Sequence, residues 1–424
     1  MRVWAVLGVA SSLGLGIVAA CGSDSGGGAT STDGGSDALI FEPPPSLKPT
    51  ALAVGGEDAC VIMDDGRLRC WGSNAFGQLG NPQRTDLPDG GYTFNDSPAS
   101  YPLTASVTNA AYVAPGGPSD EDGQRVTATC AVLSDAQVQC WGQNRFGTLG
   151  RGGTTTDYEP HPEARPVVNL GPSEQVITNG MTACAISGHR AWCWGRTQYW
   201  TDGGGGPSPS EVDLQQGLGV KQIALGQLHG VLLTDNASVL GWGNNGRGQV
   251  GENTGFINSL PSVVEIAAGG FTTCVRVLSG DVQCLGDNTS GMLGRGPMDA
   301  SNSSAPAPVI LPTKTTAATQ IGMGSDHACA LLHDGSVWCW GNNFYGGLGS
   351  GQSNGASVDP PKSDTPLKVE GLPLAAIAIG VGAGFTCAML SDHSVMCWGS
   401  NGTGTLGQGT TDSVPHLTPV RVPL

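Results

Sequence analysis

Thiols are the residues whose spacing most constrains chemistry in this chain. Twelve of the 13 cysteines fall into six close pairs: Cys60 with Cys70, Cys130 with Cys140, Cys184 with Cys193, Cys274 with Cys284, Cys329 with Cys339, and Cys387 with Cys397. The partners are ten residues apart or, once, nine. Zinc sites typically gather ligands about two to four residues apart in sets of four, and that spacing does not occur here. Directly opposed residues on the two strands of a hairpin have Cα atoms about 4.5–5.5 Å apart, within reach of a disulfide. One further copy of the pattern lacks both cysteines together, with Val231 and Gly241 in their places, as pairing within one hairpin requires. Six disulfides imply an oxidising compartment, and we expect no metal site.

The other reactive side chains read as structural. His229 and His327 share one repeat position and are expected to hydrogen-bond within their own unit, while His189, His333 and His393 fall at or beside turns and should be solvated. The acids that recur, Asp65, Asp135, Asp235, Asp334 and Asp392, sit where turn chemistry favours Asp. No phosphate-binding loop, nucleophile elbow, H-E-x-x-H or alternating-Asp calcium loop is present in the sequence. We therefore expect no catalytic residue and no cofactor.

The elements that hold these residues emerge when the chain is overlaid on itself. Cys70-Trp71-Gly72-Ser73-Asn74-Ala75-Phe76-Gly77-Gln78-Leu79-Gly80 returns as Cys140 to Gly150, and further copies start at Trp242, Leu285, Trp340 and Trp398. A degenerate copy, Cys193-Trp194-Gly195, loses the Asn and the closing glycines, which makes seven copies at intervals of 43 to 70 residues. Within one unit, 308–311, 319–323, 327–332 and 337–340 read as four short strands, with Asp334-Gly335 marking a tight hairpin. Four strands repeated seven times predict an all-β chain, a seven-bladed β-propeller whose radial closure removes exposed sheet edges. Most units open on a Pro-led strand, and the last eight residues, 417–424, form such a strand with no unit after it. The C-terminal strand is therefore expected to pair into the first blade and lock the ring.

Composition agrees. Gly (68) and Pro (28) make up more than a fifth of 424 residues, too much for a helix bundle, while 39% hydrophobic residues are too many for wholesale disorder. A net charge of −16 excludes nucleic-acid binding through a basic face. The unit G-x-x-H-x-C-A-L-x-x-D-G-x-V-x-C-W-G-x-N-x-x-G-x-L-G, seen at 324–349, resembles the repeat of the regulator of chromosome condensation family, and the resemblance extends over roughly residues 50–424. It implies a seven-bladed propeller. The nuclear exchange-factor role of the family's eponymous member does not suit an acidic, exported chain, whereas another member, a secreted bacterial inhibitor, shows that the fold can serve as an extracellular protein binder.

Residues 1–21 read as a lipoprotein signal peptide: Arg2, an apolar run from Val3 to Ala20, then Cys21 before a Gly/Ser stretch. The junction resembles the lipobox of bacterial lipoproteins, which implies acylation of Cys21 and export to the envelope, the outer membrane or cell surface being favoured by Gly22. Residues 22–48, rich in Gly, Ser and Pro, are expected to form a flexible tether, and 49–424 the propeller. Departures from the repeat carry exposed-type aromatics: Tyr92 and Phe94 in the longest insertion, Tyr199 and Trp200 in the degenerate copy, and Phe344 and Tyr345 in the sixth. Insertions following one motif should emerge on one face of the ring, where aromatics suit protein or sugar binding. We expect a monomeric, lipid-anchored module that binds an envelope or extracellular protein. The alternative is a polysaccharide-binding module, and a more distant one a carbohydrate-active enzyme.

Overall fold

A computed structural model describes residues 47–424 except 83, 87–91, 95–98, 118–126, 154–156, 158, 197–205, 213–216, 253–254, 258–259, 297–300, 313–316 and 353–361. The expected signal peptide, Cys21 and almost all of the tether lie outside the described residues. The described residues contain no helix. They form seven four-stranded antiparallel sheets, plus a small hairpin of Arg84–Asp86 with Tyr92–Phe94. Each sheet is one blade, and in each the strands follow in chain order from inner to outer.

Blade six shows why these residues form these strands. Ala318–Met323, His327–Leu332, Val337–Asn342 and Lys362–Lys368 pair in succession. The second strand, HACALL, is buried along its whole length because both of its faces pack against neighbouring blades. The outer strand, KSDTPLK, is mostly half-buried and tolerates Pro because it lies at a sheet edge. The first strands of successive blades touch around the ring, and Ala376–Val381 of blade seven touches Pro49–Val54 of blade one, so the ring is closed.

The core is divided among seven clusters, one at each seam between blades. A Trp from the third strand plugs most seams: Trp71, Trp141, Trp194, Trp340 and Trp398 are fully buried. Each donates its indole N–H to a carbonyl of the preceding blade, for example Trp141 Nε1 to Gln78 O at 2.8 Å and Trp340 Nε1 to Met292 O at 2.8 Å. Trp71 Nε1 to Thr405 O, 2.9 Å, is the same bond across the closing seam. The glycine after each Trp has positive φ (+109° at Gly72), and a Cβ on Gly72 would lie 2.4 Å from the Glu57 carbonyl, so that position requires glycine.

Two expectations are corrected. The repeat is shifted by one strand: the Pro-led segments end a blade instead of opening the next. The strand expected at 308–311 is Ser303–Pro308, and it pairs back onto Val282–Gly286 of blade five. Accordingly the C-terminal strand, Asp412–Arg421, does not pair into blade one. It is the outer strand of blade seven, with Cys397 opposite Val420 and Met396 opposite Arg421. The C-terminal segment still contributes to closure, because buried Val422 packs in the same cluster as Trp71 and Met63 of blade one.

The six cysteine pairs are bonded as the spacing requires. Cys60 joins Cys70, Cys130 joins Cys140, and Cys184 joins Cys193. Cys274 joins Cys284, Cys329 joins Cys339, and Cys387 joins Cys397. Each bridge links directly opposed residues of a second and a third strand; Cys329 faces Cys339 across the blade-six hairpin, for instance. Their Cα atoms are 4.0–4.1 Å apart, somewhat closer than the hairpin spacing expected from sequence. Val231 stands opposite Gly241 in blade four, the position of the absent pair.

Candidate functional site

The blades give the ring two chemically different faces. The hairpin between second and third strands turns on one face. There Asp65, Asp135, Asp334 and Asp392 each accept, through Oδ1, the backbone N–H two residues on, at 2.9–3.0 Å. In blade four Asn236, not Asp235, performs this role for Ser238. These carboxylates are therefore occupied by their own turns. His189 and His333 are exposed as expected, but His393 is half-buried and its Nδ1 lies 2.8 Å from Pro49 O, linking blade seven to blade one.

The other face carries the W-G-x-N-x-x-G-x-L-G turns and the insertions that follow them. The repeated Asn closes each turn: Asn74, Asn144, Asn245, Asn288, Asn343 and Asn401 accept, through Oδ1, the backbone N–H five residues on at 2.9–3.3 Å. That residue is Leu or Val, and it is fully buried at the seam (Leu79, Leu149, Val250, Leu293, Leu348, Leu406). Asn, Gly and Leu are thus committed to the fold, and the chemistry varies at the two apical residues between Asn and Gly. They are Ala75-Phe76, Arg145-Phe146, Gly246-Arg247, Thr289-Ser290, Phe344-Tyr345 and Gly402-Thr403.

Phe344 and Tyr345 put the largest apolar surface at an apex. They are 55% and 46% exposed, and their rings meet edge to face with centroids 4.9 Å apart. The pair is held in place: the Phe344 N–H donates to Asn342 Oδ1 at 2.7 Å. Tyr345 lies against Gly384 of blade seven so closely that a Cβ there would fall 2.7 Å from its ring. At the blade-two apex, Arg145 and Arg196 lie 5.0 and 5.2 Å from the centroid of Phe146.

Of the remaining candidate aromatics, Tyr92 and Phe94 belong to the small hairpin in the blade-one insertion, and their side chains lie outside the described residues, as do Tyr199 and Trp200 entirely. Where the degenerate third copy loses its turn motif, Met181, Arg196, Leu225, Leu228, His229 and Trp242 line a cleft at the seam of blades three and four. Trp242 is half-buried there, unlike the Trp residues of the intact seams.

Three features were missed from the sequence. His229 and His327 bond across seams and not within their own blades. Thr273 Oγ1 donates to Gln249 O and Thr386 Oγ1 to Gly347 O, so each hydroxyl receives a histidine Nε2–H, at 3.0 and 2.8 Å. Burial pushes the His229 imidazole down to about 4. In blade one the same register position holds Asp58, opposite Gly72 as His327 is opposite Gly341. Asp58 is fully buried, neither carboxylate oxygen has a hydrogen-bond partner, and burial, then the charge of Glu57, push its carboxyl well above the usual range. Third, inner-strand amides bridge blades: Gln222 pairs with both backbone groups of Ile266 (3.0 and 2.9 Å), and Gln320 with both of Ile379 (2.7 and 2.9 Å). A Gln before Ile in two inner strands, Gln222-Ile223 and Gln320-Ile321, was the available signal. Among the described residues, no three His, Cys, Asp or Glu side chains gather as a metal site.

This architecture defines the class: a closed seven-bladed β-propeller with disulfide-stapled blades, its surface variation concentrated on one face. The model of the regulator of chromosome condensation (RCC1) repeat matches residues 50–78, 220–249, 318–346 and 376–405, and a second form of the repeat matches 334–389. Over 307 residues the chain is 27% identical to the human E3 ubiquitin-protein ligase HERC2, covering 67% of this chain but only 6% of that protein's length. It is 28% identical over 310 residues to the ultraviolet-B receptor UVR8 of Arabidopsis thaliana, covering 69% of this chain and 67% of the receptor. The fold matches yeast RCC1 (Prp20), solved bound to Kap60, with a TM-score of 0.71 at 18% identity over 88% of this chain and 85% of that one. It also matches human WBSCR16, with a TM-score of 0.69 at 21% identity over 84% and 95%.

Proposed function

We propose that the propeller is an extracytoplasmic, lipid-anchored, monomeric binding module that grips a protein partner through its insertion face. The observation that carries this is the Phe344–Tyr345 pair: two large apolar rings left half-exposed and held in place at a turn whose counterparts in blades four, five and seven present Gly, Thr, Ser or Arg. Buried aromatic anchors dominate protein–protein binding energies, and a ring already fixed against Gly384 loses little freedom on binding. Propellers of this fold include one solved in complex with a protein, Kap60. Six disulfides suit an oxidising compartment, which agrees with acylation at Cys21 and export to the outer membrane or cell surface.

The test compares oxidised propeller (residues 49–424) with its F344A/Y345A variant, both immobilised and exposed to solubilised envelope and medium. The expected result is one stoichiometric protein on the parent, weakened at least tenfold on the variant, with the variant's unfolding midpoint unchanged. Equal retention by both contradicts the assignment of the site, and retention of polysaccharide alone contradicts a protein partner.

A further inference from the structure

We infer that the propeller is held by its hairpin face and offers its insertion face to a partner approaching from the side away from the anchor; this rests on the lipid-anchored reading above. The direction of the first strand carries it. Pro49 stands opposite Met63, the last residue before the blade-one hairpin, and Lys48 O accepts the N–H of Asp64 at 2.9 Å. His393, at the tip of the blade-seven hairpin, bonds Pro49 O. The chain therefore enters the ring on the hairpin face, between two hairpin tips and next to the axis. The outer strand of blade seven runs toward the same face: Val422 N bonds Val395 O, just past that blade's hairpin.

The third-to-outer connections all leave from the opposite ends of the strands. Gly72 faces Ala99, Gln143 faces Pro160, Gly195 faces Gly206, Gly241 faces Gly255, Gly286 faces Ser303, Asn342 faces Lys362 and Asn401 faces Asp412. Phe344 and Tyr345 lie in one of these connections. Strands of about six residues set the faces roughly 20 Å apart.

The tether sets how strongly this polarity is imposed. A Gly/Ser-rich stretch as long as residues 22–48 has a root-mean-square reach of roughly 30 Å. To turn the insertion face toward the anchor, it would have to run from near the axis across the three gaps between four strands, about 15 Å, and then over a rim of roughly 20 Å. That path, about 35 Å in all, is longer than the root-mean-square reach, so the tether biases the hairpin face toward the anchoring surface and the aromatic pair away from it.

Resonance energy transfer reads this directly in the full-length chain. A donor is placed through an unnatural amino acid at Ser134, on the blade-two hairpin, or at Ala75, on the blade-one apical turn, both exposed. The lipidated protein is reconstituted in phosphatidylethanolamine–phosphatidylglycerol vesicles containing an acceptor-labelled lipid. Transfer several-fold higher from position 134 than from position 75 is expected, and a C21A chain should lose both signals. Equal transfer, or higher transfer from position 75, overturns the orientation. Absence of transfer from both, with the protein recovered in the soluble fraction, overturns instead the lipid anchor on which the inference rests.

Discussion

Asp58 is the residue whose energetics are least explained by its own blade. Its counterparts His229 and His327 each donate to a threonine of the next blade, and Thr129 stands ready in the equivalent place beyond Asp58, its hydroxyl already donated to Gln78 O. Aspartate cannot donate to that oxygen unless it is protonated, which agrees with a carboxyl pushed up by burial. The sign of the linkage follows. The unfolded chain ionises near 3.8 and the folded chain only at higher pH, so stability is fully present below 3.8 and is lost as pH rises toward the folded value. Asp58→Asn should therefore stabilise the propeller at pH 7 by about 1–3 kcal/mol, the cost of an unsatisfied buried group, and the gain should fade by pH 3. Urea unfolding at both pH values measures it, and an equal shift at the two would contradict the assignment. His229 acts at the other end of the range: with its pKa depressed from 6.5 to about 4, the stability it contributes is present above 6.5 and is lost as pH falls toward 4. From sequence Asp58 was invisible, because an Asp before a strand reads as a solvated turn residue, and only the seam reveals that no water reaches it.

At the scale of elements, the blade hairpins were legible because three signals coincide in six of the seven: a strand pattern, a turn, and cysteines spaced to face each other. Each bridge closes a loop of about ten residues, worth about 2–3 kcal/mol on the chain-entropy model. The phase of the repeat was not legible. In sequence the Pro-led outer strands lie nearer the blade after than the blade before, Ser303–Pro308 starting 17 residues past Gly286 and ending ten before Ala318, and only the backbone pairing of residues such as Ala307 with Cys284 assigns them to the earlier blade. Contacts between blades were also hidden, since they join positions about one repeat apart. Gln320 is the clearest case: its amide satisfies both the N–H and the C=O of Ile379 in the next inner strand. Gln320→Ala should leave two buried backbone groups unpaired and cost about 2–4 kcal/mol by denaturant unfolding. A cost below about 0.5 kcal/mol would show that the inner strands do not depend on this bridge.

For the whole molecule, the ring separates what must be fixed in geometry from what can recognise a partner. Trp, Asn, Gly and Leu of each turn are consumed by seams and loop closure, so the variable chemistry collects at the apices and insertions of one face, as the repeat pattern predicted. From sequence Phe344 and Tyr345 were one of three aromatic candidates, beside Tyr92 with Phe94 and Tyr199 with Trp200, and nothing in the sequence ranked them. The edge-to-face geometry of Phe344 and Tyr345 and their seat on Gly384 were not legible, since Gly384 is 39 residues beyond Tyr345 and in another blade. The central claim is that recognition belongs to this face. Hydrogen–deuterium exchange of the propeller with and without its captured partner tests it most directly. Protection is expected at residues 342–349 and at the adjoining 382–384 turn, with the hairpin tips at 64–67, 134–137 and 333–336 unchanged. Protection confined to those tips would contradict it.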